Sequence, residues 1–426
     1  MANVASSGVP EGITTSDGVP LKVSLARATR RQRIQALVLV LPLLLFLLVA
    51  FVLPIGEMLF RSFYSPVGSS VMPSFTKVIK DWDGEGLPPE ATFEVFVKDM
   101  TQARESNEIG KTIGNLATRI NYEIPGSRGL FTKSARKVKN ITEGPYKEAL
   151  IALDKRWENQ HVWRTLQRVS SDYTISFYLA ALDLKVDENN EIVRADPLYR
   201  IYVPILFKTL WLSALITAIC LLIAYPVSYL LATLPLRTSN LLMIMVLLPF
   251  WTSLLVRTTA WIAMLQTEGI VNDILVFTRI IPEDGRIQMI YNMTGTIVAM
   301  VHILLPFMIL PLYSVMKTIP PYYMRAARSL GATGTYSFVK VYFPQTIPGI
   351  AAGTLLVFIL AIGYYITPAL VGGNDGLLIS NLIADHIKKT LNWSLGSALG
   401  AILLGVVLVF YWMYNKLVGV DNLKFG

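Results

Sequence analysis

Reactive side chains are scarce in this chain. Its single cysteine, Cys220, sits inside an apolar stretch, so no intrachain disulfide can form and a core thiol is the simple reading. The three histidines, His161, His302 and His386, fall on different segments without paired metal-ligand spacing, which gives no basis for a metal site. No nucleophile is patterned with a base, so the chain alone does not read as an enzyme and no cofactor of its own is expected. A phosphate-binding loop lacks its glycine. Gly110-Lys111-Thr112 resembles the end of one, but the position five residues earlier is Glu105, whose charge repels phosphate. Charge is sparse too: 16% of 426 residues are charged and 53% hydrophobic, with a mean hydropathy of +0.50. Soluble domains run about 25% charged, so a purely soluble chain is disfavoured.

The charge that exists is unevenly placed. Residues 61–200 hold 20 Lys/Arg and 19 Asp/Glu, or 39 of 67 charges, and are composed like a soluble domain. The net charge of +9 lies beside the apolar stretches, where it sets topology and does not indicate nucleic acid. A membrane helix needs about 20 apolar residues. Six stretches qualify: Ile34–Phe60, Ile205–Leu234, Leu241–Leu265, Gly295–Met316, Gly349–Val371 and Leu395–Leu417. The first follows Arg27, Arg30, Arg31 and Arg33, yet it is too long for a signal sequence and lacks a cleavage site, so an uncleaved span is expected.

Basic short loops stay in the cytoplasm. Residues 1–33 hold five Lys/Arg against two acids, Arg237 follows the second span with no acid, and Lys317, Arg325, Arg328 and Lys340 follow the fourth with none. The links at 266–294 and 372–394 hold at least as many acids as bases. This predicts five regions: a cytoplasmic tail at 1–33, a first span at 34–60, a periplasmic insertion at 61–200, five further spans within 201–417, and a cytoplasmic tail at 418–426. Within the insertion, Tyr146, Leu150, Leu153 and Trp157 predict an amphipathic helix from Pro145, and Thr174–Leu184 predicts a piece of core. Packing against the membrane part and contact with an external receptor are both open for this domain.

The segment Ile319–Pro344 carries the strongest signal. Pro320 and Pro321 suit a helix start and Gly331 the left-handed residue that ends it, with a second short helix from about Thr335. An isolated helix of about ten residues is marginal in water, so it needs a partner surface or the headgroup layer. Ala326 and Ala327 would let a partner approach closely, and Arg325 and Arg328 could pair with its acidic groups.

These residues resemble the EAA loop of inner-membrane permeases in binding-protein-dependent ABC importers. The match runs through Ala326-Ala327, Gly331 and Val341-Tyr342-Phe343-Pro344, with Arg325 where that loop usually has Glu. The resemblance implies an ATPase-docking set of Arg325, Ala326, Ala327, Arg328, Gly331 and Ala332. Leu248–Thr258 with Trp261, and Ala224–Tyr229, are similar to the spermidine/putrescine branch of that family. The implied fold is all-α and polytopic, the six-helix type I importer permease with a large, mostly helical periplasmic insertion between helices 1 and 2. The implied function is an inner-membrane permease for polyamines or related solutes. Its implied partners are ABC ATPase subunits that use the ATP, a second permease (homologous rather than identical), a periplasmic binding protein and membrane lipids. A secondary carrier or a structural or sensory membrane protein are the alternatives.

Inside the bilayer, Arg257 lies about eight residues, or about 12 Å, from the outer end of the third span, too deep to reach water easily. Either a translocation path or a satisfied buried arginine fits. Trp251, Thr258 and Trp261 fall on one face of a continuous helix, and Tyr364 and Tyr365 lie midway along the fifth span; all are path candidates, with packing the alternative. Glu57, Glu268, Asp273 and Asp375 are expected near the outer mouth as rim charges.

Overall fold

The computed structural model of the chain describes residues 21–106, 112–141 and 143–418. The expected tails at 1–20 and 419–426, and the Gly110-Lys111 pair of the phosphate-loop lookalike, lie outside the described residues. The chain divides into two units after Phe60.

The first unit holds a helix, Leu21–Leu47, that continues through a wide π turn, Leu48–Val52, into Leu53–Arg61. Residues 21–33, assigned to the tail before the first span, are helical and continuous with it. Arg30, Arg31, Gln32 and Arg33 are good helix formers and extend the apolar helix past the expected end of its span. The π turn precedes Pro54, which lacks the N–H for a regular turn; Leu53 N–H donates to the Leu48 carbonyl across it.

In the second unit the insertion forms its own aromatic core. Phe75, Phe93, Phe96, Phe131, Trp157 and Trp163 are fully buried. Phe96 stands edge-on to Trp157 at 5.1 Å and to Trp163 at 5.2 Å, the offset geometry that ring quadrupoles favour. Both buried indoles keep a hydrogen bond: Trp157 Nε1 donates to Ser134 Oγ (2.9 Å) and Trp163 Nε1 to the Trp157 carbonyl (2.9 Å). The helix predicted from Pro145 is Tyr146–Leu153, with Trp157 on the 3-10 turn that follows. Two short strands, Leu184–Val186 and Ile192–Arg194, pair antiparallel. The domain leaves and returns through a narrow neck: Tyr64 bridges Tyr173, Ser65 N donates to Asp172 O (2.7 Å) and Thr174 N to Phe63 O (2.8 Å).

Residues beyond that neck behave differently from expectation. Thr174–Leu184, expected in the insertion core, packs Phe177 and Ala181 against Ile379, Leu395, Ala398 and Leu399 of the membrane body. A short apolar run has no periodicity that identifies its partner, so burial was legible but not the surface. Asp183, at φ 56°, accepts from the backbone N–H groups of Ile201 (3.1 Å), Tyr202 (3.1 Å) and Val203 (2.8 Å). It satisfies donors that the following helix leaves unpaired and places a negative charge at the positive end of its dipole.

That helix, Tyr202–Thr233, is the second span. Met293–Thr318 is the fourth, Phe343–Gly363 the main part of the fifth and Trp393–Val418 the sixth. The second, fourth and fifth form one core through Leu212, Ile216, Cys220, Met308, Leu312, Val357 and Ala361. Gly349 and Gly353 let the fifth approach the fourth: a Cβ at Gly353 would lie 2.7 Å from Met308 Sδ, and one at Gly349 3.2 Å from the Pro311 carbonyl. Small residues four apart are a packing seam of helices in lipid. Two of the six expected spans are not continuous. The third is divided into Leu236–Trp251 and Leu254–Leu265, and the fifth stops at Gly363 and resumes as Ile366–Val371.

A buried ion cluster stiffens the insertion where it meets the membrane body. Glu123 lies 2.8 Å from Arg119 and 3.1 Å from Arg168, and the Arg119 guanidinium stacks 4.6 Å from the Phe177 ring centre. Burial alone would raise the Glu123 carboxyl; the two guanidinium charges and the Ser176 hydroxyl overcome it and hold it below the ordinary 4.5. A carboxyl depressed in the folded state contributes stability above its unfolded value, lost as pH falls through the folded one. Glu123→Gln, which leaves the buried Arg119 and the part-buried Arg168 without their anion, is expected to cost about 3–5 kcal/mol near neutrality. It should also remove this part of the acid-induced loss. Thermal unfolding followed by tryptophan fluorescence between about pH 7 and pH 3 measures both; parallel curves for the two proteins would contradict the assignment.

Candidate functional site

The two helix breaks interrupt the expected third and fifth spans, and in lipid every freed backbone group needs a partner. In the third span, Pro249 lacks an N–H and cannot continue the ladder. Thr252 Oγ1 donates to the Pro249 carbonyl (2.9 Å), the chain runs extended through Thr252 and Ser253, and Ser253 Oγ accepts from Val256 N–H (3.2 Å) to start the next helix. In the fifth span the chain opens at Tyr364 (ψ 128°). The helix Ile379–Lys388 supplies the missing donors: Ser380 Oγ to the Ile362 and Tyr364 carbonyls (3.0 Å each), and Asn381 Nδ2 to the Tyr365 carbonyl (2.8 Å).

Between the breaks four polar side chains converge. Arg257 is in the first turn after Ser253, its Nε buried without a hydrogen-bond partner, and its charge reaches both His302 on the fourth span and Tyr364 at the fifth-span break. Trp261, one turn further, donates Nε1 to His302 Nδ1 (3.1 Å), with the rings 5.4 Å apart. Arg257, Trp261 and Tyr364 were legible as candidates. His302 was not, because a lone histidine in an apolar helix carries no spacing signal. The cluster offers hydrogen-bond donors and a fixed positive charge.

The other path candidates separate. The shared face of Trp251, Thr258 and Trp261 does not exist, because the extended residues at 252 and 253 change the helix direction and phase between the first and the other two. Trp251 is 74% exposed, and Thr258 is buried with its hydroxyl donated to the Leu254 carbonyl (2.8 Å). Tyr365 turns to Lys388, whose Nζ donates to its hydroxyl (3.0 Å) and lies 4.8 Å from its ring centre. Of the expected rim charges, Glu268 and Asp273 gather with Glu283 around Arg286, at 3.4, 2.9 and 2.7 Å. Lys208 Nζ donates to the Asp375 carbonyl (3.1 Å), and Glu57 belongs to the first unit.

The loop between the fourth and fifth spans forms the helix Tyr322–Ser329 with Pro321 at its start and no buried residue. It ends in a Schellman turn: Ala332 N–H donates to Ala327 O (3.1 Å) and Gly331 N–H to Arg328 O (3.0 Å), with Gly331 at φ 90°. Thr333 then starts the helix Gly334–Ser337, which runs through a π turn, Phe338–Tyr342, directly into the fifth span. Ala326, Arg325 and Leu330 are exposed, Leu330 by 89%. Beneath the helix, Phe338 and Tyr342 stand edge-on to Tyr229 at 5.6 and 5.3 Å, and Phe338 meets Tyr225 at 6.4 Å. This aromatic cluster joins the loop to the second span; Tyr225, Tyr229 and Tyr342 lay in segments that carried the resemblance, but their contact was not legible, because single aromatics in spans carry no pairing signal.

With this geometry in place, comparison with known proteins is informative. Residues 222–418 match the model of the binding-protein-dependent transport system inner membrane component family. The chain is 35% identical over 225 residues to the spermidine/putrescine transport system permease protein PotB of Escherichia coli (strain K12), covering 52% of this chain and 80% of that protein. The corresponding PotB of Haemophilus influenzae is 36% identical over 220 residues, covering 51% of this chain and 76% of that protein. Among solved structures, a bacterial ABC transporter involved in the import of the acidic polysaccharide alginate gives a TM-score of 0.43 at 19% identity, covering 52% of this chain and 80% of that one. The chain belongs to the binding-protein-dependent transport system inner membrane component family and is the permease component of an ABC importer.

Proposed function

We propose that the chain forms one half of the membrane channel of an importer for polyamines or closely related small cationic solutes. The relatives named for spermidine and putrescine, matched over about four-fifths of the first one's length, carry the substrate part. The acidic side chains of Glu268, Asp273 and Glu283 outnumber Arg286 in the outer loop and would enrich cations there. Arg257 would then serve as a gate, a fixed charge that a cation passes only when the pocket around His302 and Tyr364 rearranges.

The observation that carries the coupling part is the exposed, Schellman-capped helix Tyr322–Ser329, which has no buried residue of its own. In this reading the ATPase binds across Arg325, Ala326, Ala327 and Arg328, with Gly331 and Ala332 setting the exit angle. The basic flanks support a reading with this loop and both termini in the cytoplasm and the insertion in the periplasm. Nucleotide-driven closure of two ATPase subunits moves the helix. The motion passes through Phe338 and Tyr342 to the second span, and along the fifth span to the break beside Arg257. The chain binds no cofactor and performs no catalysis; its partner hydrolyses ATP. A homologous second permease completes the pore, a periplasmic receptor delivers solute, and nucleic acid has no part.

Two experiments test this. Ala326→Cys in the assembled importer should crosslink to the ATPase subunit in intact cells taking up solute. Cys220 is fully buried and gives little background. Crosslinks that never capture an ATPase during active uptake would exclude the docking role. Gly331→Val forces a β-branched residue into the left-handed region, at a cost of about 1–2 kcal/mol or more, while a Cβ there meets no atom within 4 Å. Uptake of labelled spermidine should fall at least about tenfold with membrane insertion unchanged; full uptake would refute the coupling. Wild-type uptake of another solute class with no competition by spermidine would refute the substrate and leave the coupling standing.

A further inference from the structure

Behind the helix Tyr322–Ser329 lies a cavity of about 460 Å³ among Tyr229, Lys317, Met324, Arg325, Arg328 and Tyr342. Its charge is of one sign. The stretches that wall it contain no acid, since no Asp or Glu occurs between Asp196 and Glu268 or between Asp284 and Asp375. Among the described residues Lys317, Arg325 and Arg328 form no ion pair; Lys317 Nζ donates only to the Ala232 carbonyl, at 3.3 Å. Tyr342 also lines it. The residue is 6% exposed, and its hydroxyl is buried with no hydrogen-bond partner. A buried hydroxyl is normally bonded, so a small shift that opens this one to the cavity would let an outside acceptor satisfy it.

We propose that this cavity is a binding site for a phosphate-bearing anion. Two guanidiniums and an ammonium around one space offer donors and positive charge to a tetrahedral oxyanion, with the Tyr342 hydroxyl buried behind them, and guanidinium forks match phosphate oxygens two at a time. Tyr229 and Lys317 lie in the last turns of the second and fourth spans, so the cavity opens at the depth of the lipid headgroups. Basic pockets between membrane helices at that level suit anionic headgroups. The phosphodiester of an anionic lipid and free phosphate therefore share the chemistry the site recognises. The inference stands on the cavity and does not require the polyamine reading. If Arg325 and Arg328 also face an ATPase, the anion sits behind the docking helix and props it.

The test uses the full chain, purified in neutral detergent and in nanodiscs of phosphatidylcholine with or without phosphatidylglycerol. Inorganic phosphate at matched ionic strength should raise the melting midpoint in detergent, and native mass spectrometry should find phosphatidylglycerol retained. Arg328→Gln and Lys317→Gln should each weaken phosphate about tenfold. Tyr342→Phe, which removes only the hydroxyl, should weaken it less and keep the fold. Arg237→Gln, a base in the first turn of the helix Leu236–Trp251 and outside the cavity, should behave as wild type. Retained lipid that phosphate cannot displace assigns the site to a headgroup, and displacement by phosphate assigns it to the free anion; either supports the proposal. A wild-type protein indifferent to both anions overturns it, as does an equal loss in Arg237→Gln, which would mark general charge screening.

Discussion

A chain inside hydrocarbon can leave the helical path only where something else takes up its backbone hydrogen bonds. This permease meets that condition twice. At Ser253 the repair is local, made by two hydroxyls within the same segment. At Tyr364 it is borrowed from Ser380 and Asn381, which belong to another helix. Irregular backbone at membrane depth is tolerated where it lines a cavity or lies within protein, and the only deeply placed guanidinium among the described residues of the third span sits next to both breaks. The polar cluster of Arg257, Trp261, His302 and Tyr364 is thus a consequence of where the helices can afford to stop.

The same geometry gives the fifth span two ends with different characters. One end runs without interruption from the exposed loop helix through the π turn at Phe338–Tyr342. The other ends at the Tyr364 break. Along its length Gly349 and Gly353 hold it close to the fourth span. The aromatic cluster of Tyr225, Tyr229, Phe338 and Tyr342 ties that end to the second span. The second span in turn is capped at its far end by Asp183.

Features set by local rules were legible in the sequence. Apolar length marked the spans, and Gly331 marked the end of the loop helix, because a left-handed residue at that spacing has few alternatives. Features set by distant partners were not. Pro249, Thr252 and Ser253 together carry a stop-and-restart signal, but within an apolar run it read as one continuous helix. The Tyr364 break had no local sign, since its donors lie about sixteen residues away. Lys317 read as a topology charge, and only the fold places it beside Tyr342. The run at Thr174–Leu184 was recognisably buried, while the sixth span as its partner became visible only in three dimensions.

The paired backbones at Tyr64 and Tyr173 have an evolutionary corollary. The whole aromatic core of the insertion lies between them, while Phe177, Asp183 and their contacts with the spans lie after them. Excising the intervening hundred or so residues would leave two strand ends already side by side, which a hairpin of about two to five residues could close. The helix cap and the apolar seam would survive that cut. A domain joined at such a point could be removed or exchanged without re-threading a single membrane crossing.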